Sequence, residues 1–86
     1  MLTLRDCIDF SDLSEEEILA IAEHEHVPEV IAAGLAGYLS GADKGLDAVR
    51  DMIIDDIRAA EVRGNQAHTL ELLHVLHHFL RNHPEA

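Results

Sequence analysis

The chain has 86 residues, enough for one domain, and a domain this short buries only about 60% of the surface its unfolded form exposes. Seventeen carboxylates against six Lys and Arg leave a formal charge of -11, which disfavours nucleic acid or an anionic membrane surface as a partner, since either needs a cationic face. Leu and Ala dominate the apolar 48%, Trp is absent and only Phe10, Phe79 and Tyr38 are aromatic, a palette that favours helices over strands.

The segment from Met1 to Phe10 has no basic stretch ahead of an apolar run, and no segment reaches the roughly 18 to 20 apolar residues that span a bilayer, so a cytoplasmic location is expected. Thr3 is placed to cap a short first helix over about Leu4 to Phe10, with Asp6 at the capping-box position and Leu4, Cys7 and Ile8 facing inward. Cys7 stands alone, which rules out an internal disulfide and a cysteine-based zinc site and reads as a small core residue. The next helix begins at Ser14: Glu17 completes a capping box, Leu13 and Ile18 form a hydrophobic staple, and Glu15, Glu16 and Glu17 suit the positive end of the dipole. It ends near His26, because Pro28 disfavours helical geometry at Val27; Pro28 then serves as the first residue of a new helix.

From Val30 to Leu39 that helix carries no charge on any side, the pattern of a helix surrounded by others. So small a domain can hardly encircle it. Ala33, Gly34 and Gly37, which permit close backbone approach, are therefore the expected subunit interface together with Tyr38. Ser40 and Gly41 end the helix. Asp43 is the expected cap of the next, which runs to about Arg63 before Gly64 stops it. Within it Leu46, Val49, Ile53, Ile57 and Ala60 recur at helical spacing, with Ile54 beside them and Asp47, Asp51 and Asp55 on another side. Asn65 caps a last helix to about Asn82, with Leu72, Leu73, Leu76, Phe79 and Leu80 as its buried stripe and Pro84 beyond its end. The expected fold is all-α: a compact bundle of four principal helices with a short N-terminal helix, one domain over residues 1–86.

Seven histidines stand out, grouped as His24 and His26, then His68, His74, His77, His78 and His83. Glu23 with His26 and Glu71 with His74 have the Glu-x-x-His spacing that sets a carboxylate and an imidazole on one helix face. In this they resemble the ferritin-like di-iron bundles, where two such pairs and two further Glu hold iron, all pointing inward. The helical period, however, puts Glu71, His74 and His78 away from the apolar stripe of the last helix, and Glu23 away from Ile18 and Ala22. Glu25 and His26 fall nearer the core. A broader metal reading uses His74 and His78, four apart, with His77 and Glu71 as helpers, or Glu25 and His26 across a subunit interface, for zinc, nickel or iron. The alternative is a solvated face whose cations near the helix C-terminus favour the dipole. Protonating all seven imidazoles would add seven charges to -11, leaving -4, so association is expected to depend on pH.

The run Gly41-Ala42-Asp43-Lys44-Gly45-Leu46-Asp47 resembles the Gly-Ala-Asp-Ser-Leu-Asp signature of acyl carrier proteins, which are also small, acidic and helical. Lys44-Gly45 replaces the serine that bears their phosphopantetheine arm. The segment Asp12-Leu13-Ser14 through Val27-Pro28-Glu29 resembles a family of small bacterial all-helical proteins of unknown function and implies no activity. No Gly-rich phosphate loop, nucleophile elbow or activated Cys is recognisable. The expected function is a non-enzymatic, self-associating interaction domain without a cofactor, its partner a second copy or another protein, with transition-metal binding by the His and Glu clusters as the alternative.

Overall fold

Residues 13–84 are described by the computed structural model, so the expected first helix around Leu4 to Phe10, with Cys7, lies outside the described residues. Helix α1, Glu15–Glu25, starts as its sequence demands: Ser14 Oγ accepts from the Glu17 N–H at 3.3 Å and Glu17 Oε1 accepts from the Ser14 N–H at 3.0 Å. Leu13 and Ile18 are buried on either side of this box, completing the staple. His26 closes α1 in the left-handed region, φ 57, with its N–H bonded to the Ala22 carbonyl. Pro28 is the cap of α2, Glu29–Gly41, rather than its first residue, and its carbonyl accepts from the N–H groups of Ile31 and Ala32.

Helix α3, Gly45–Val62, does not begin on Asp43. Lys44 holds the capping position with φ 58 and no side-chain bond to the helix end. Backbone contact explains the choice, because a Cβ at Gly45 would fall on the Leu39 carbonyl oxygen, so only glycine allows the start of α3 to lie against the end of α2. Gly64, with φ 73, makes the turn after α3, and Asn65 Oδ1 accepts the His68 N–H at 3.1 Å to start α4, Gln66–Asn82. Among the described residues there is no strand, and no helix is long and apolar enough to cross a membrane.

Helix α3 packs against each of the other three helices, and α1 does the same, but the seam between α1 and α4 is the thinnest of these contacts. Ile18 and Ile21 of α1, Val49 and Ile53 of α3 and Phe79 of α4 are fully buried at the centre. Helix α2 was expected to be surrounded, and it is not. It turns Ala32, Ala33 and Ala36 inward, where small side chains let it approach α1 and α3 closely. Val30, Ile31 and Tyr38 stand 52%, 57% and 71% exposed on its other side. The stripe of α4 is also narrower than expected: Leu72 and Phe79 are buried, while Leu73 and Leu80 face outward with Leu70. A helix flanked by one broad and one thin contact has only a narrow stripe covered.

Two substitutions separate close approach from open space. Gly45→Ala is expected to lower stability by about 1–3 kcal/mol through displacement of the α2–α3 corner. Gly34→Ala, where a Cβ meets nothing within 4 Å, is expected to raise it by roughly 0.5–1 kcal/mol by favouring the helix. Thermal melts of both variants check the pair of signs.

Candidate functional site

The polar residues of α1 that turn toward α3 and α4 make three imidazole–carboxylate pairs across the bundle. Glu17, only 1% exposed, divides its oxygens between the capping box and His78, whose Nδ1 lies 2.9 Å from Oε2. The amide of Asn82, one turn on in α4, lies 3.2 Å from His78 Nε2, so an Nδ1–H tautomer satisfies both contacts. Glu23 Oε1 lies 2.6 Å from His68 Nε2, with Arg63 at 4.0 Å from its other oxygen. His24 places Nδ1 2.8 Å from Glu25 and Nε2 3.2 Å from Asp55. An imidazole with a carboxylate on each nitrogen donates to both only as the imidazolium. Burial pulls the His24 pKa down, but its bonds to Glu25 and Asp55 and the charge of Asp56 outweigh this, and the net shift is upward.

Behind these pairs lies Asp56 on α3, 4% exposed, with Oδ2 buried and without a hydrogen-bond partner. Burial, reinforced by the carboxylates of Glu23 and Asp55, pushes its carboxyl up to about 7 against the lowering pull of His24 and His68. Asp56 follows Val49 by seven residues and precedes Ala60 by four, so the repeat that buries those residues buries a carboxyl too. That arithmetic was the available signal, and the neighbouring Asp55, which is exposed, obscured it. At the start of α2, burial and the adjacent Glu15 raise the Glu29 carboxyl as well.

The expected metal residues are not gathered. Glu71 lies 3.8 Å from His68, His78 is taken by Glu17, and Glu25 is taken by His24. His74 and His77 are exposed on α4. Glu25 and His26, expected near the core, are both exposed: Glu25 is the last residue of α1, and the left-handed turn at His26 carries that residue out of the helix's phase. Glu23, expected to point outward, is half-buried, since α4 lies on that side. Among the described residues, no group of three or more His, Cys, Asp or Glu is placed to hold a metal ion. Of the expected interface residues, Ala33 is spent on the internal core, whereas Gly34 and Tyr38 are exposed and Gly37 is half-buried.

The titrating groups act in one direction. The folded chain keeps the Asp56 proton where the unfolded chain has lost it, so ionising Asp56 reduces stability as pH rises from about 4 to about 7. The raised imidazole of His24 favours the fold fully below its unfolded value, and that contribution is lost as pH rises through the folded one. Asp56→Asn is therefore expected to stabilise the protein at pH 8, by up to ~4 kcal/mol, and to change little at pH 4, where the acid is neutral. Denaturant unfolding at the two pH values checks this, and an equal effect at both would contradict it.

No protein-family model, no curated protein and no solved structure matches the chain.

Proposed function

We propose that this protein is a non-enzymatic interaction domain that associates with a second copy of itself through the outer face of α2. The observation that carries the reading is the exposure of Val30, Ile31 and Tyr38 on one side of a helix whose other side is fully used. Steps of three and four residues put Ile31, Gly34 and Tyr38 in one row, and the absence of a side chain at Gly34 leaves room for an opposing helix. Charge favours the same face. Each copy carries -11, so two copies repel, and α2 contains the longest stretch of the chain without a charged residue. Contact there brings the two acidic surfaces together least, and the remaining repulsion is screened by salt.

Sedimentation at high micromolar concentration is expected to show a dimer that strengthens from 50 to 500 mM salt. The exposed substitutions Ile31→Glu and Tyr38→Glu, combined, should raise the dissociation constant at least tenfold without altering the circular dichroism spectrum. A monomer throughout that range overturns the reading.

A further inference from the structure

The thin seam between α1 and α4 leaves two adjoining hollows of about 160 and 200 Å³, both bordered by Glu16 and Val75. The smaller has an apolar floor of Leu19, Ala20, Leu72 and Val75, under a rim formed by Glu16, Glu23, Glu71 and the His68 ring. The larger continues past Ser14, His74 and His78. Leu19 is 47% exposed, so the floor reaches solvent. Each hollow suits one branched aliphatic side chain and falls short of the roughly 300 Å³ typical of small-molecule sites. Their adjacency along the seam matches two side chains three or four residues apart on a docked helix, about 5–6 Å from each other.

We propose that the α1–α4 groove receives an amphipathic, lysine- or arginine-rich helix of another protein. Its apolar side chains fill the two hollows and its cations meet Glu16 and Glu71 at the rim, since Glu23 is already bonded to His68. Charge complementarity selects this occupant. Glu16 and Glu71 are exposed and Glu23 is half-buried, and the chain as a whole is strongly acidic. A second copy brings the same acidic excess to the same rim and is disfavoured there. The groove lies on a different face from the exposed side of α2, so the two readings stand or fall separately.

Charge alone would draw any polycation to this protein, so the test separates apolar seating from attraction. A fluorescent 18-residue Leu/Lys amphipathic helical peptide is titrated with the full chain at 150 mM salt, beside a control in which Gln replaces every Leu. The Leu/Lys peptide is expected to bind at least tenfold more tightly. Leu19→Glu adds a negative charge and removes the exposed part of the floor; the groove requires at least tenfold weaker binding, whereas attraction by charge requires tighter binding. Leu73→Glu, on the outward side of α4, and Ile31→Glu, on α2, add the same charge elsewhere and are expected to leave the affinity within threefold. Equal binding of the two peptides overturns the proposal, as does tighter binding to Leu19→Glu or a loss confined to Leu73→Glu or Ile31→Glu. Circular dichroism of each variant confirms that it folds, and Glu16→Gln, expected to weaken binding two- to fivefold, reads the rim without touching the core.

Discussion

The described bundle depends on burying one face of α3, and that face contains a carboxyl group. Val49, Ile53, Ile57 and Ala60 need partners on three sides, and α1, α2 and α4 supply them, but Asp56 occupies the same stripe. A buried ionised carboxylate without a hydrogen-bond partner is costly, so the group keeps its proton into the neutral range. The nearby residues on α1 and α4 can be understood from that demand. His24 and His68 oppose the upward shift, Glu23 and Asp55 add to it, and each imidazole has its own carboxylate partner across the bundle. An apolar residue at 56 would pack more simply, and its absence makes stability depend on pH.

The other constraint is coverage. The four described helices leave part of their apolar surface exposed, as expected of so small a domain, and the exposed part is not spread evenly. It collects on α2, where Val30, Ile31 and Tyr38 look outward, and on α4, where Leu70, Leu73 and Leu80 do. Both helices pack against α3 but lie at the margins of the set, whereas the more central α1 and α3 leave fewer large apolar side chains exposed. Exposed apolar residues grouped on a helix face carry more meaning than the same number scattered.

Local chemistry made most of the fold legible. Ser14 with Glu17, Pro28, Gly64 and Asn65 each fix a helix end through hydrogen bonds or dihedral limits written within a few residues, and each of these ends lies within a residue or so of its expected position. The misplaced features are those decided by tertiary contact. Asp43 is a good cap by type, but the corner is set by the fit of Gly45 against Leu39. Leu73 and Leu80 belong to the apolar stripe by residue type, yet nothing in a single helix states how wide a stripe its neighbours will cover. The site was less legible for the same reason. Glu17–His78 and Glu23–His68 join residues 61 and 45 positions apart, and no short-range pattern encodes such pairs.

The thinness of the α1–α4 seam follows from the same residues that join it. Closing the groove would drive Glu16, Glu23 and Glu71 toward one another and strip their water, a cost that deeper burial of Leu19, Leu72 and Val75 would have to offset. Glu17–His78 and Glu23–His68 hold the two helices together at separate points along the seam, while Glu16 and Glu71 stay exposed at its rim. Helices α1 and α4 therefore stay close enough to be bridged by side chains and too far apart to pack fully. Charge placement along the rim thus opposes closure of the groove, and cations brought there by a docked helix would relieve that repulsion while its side chains keep the hollows filled.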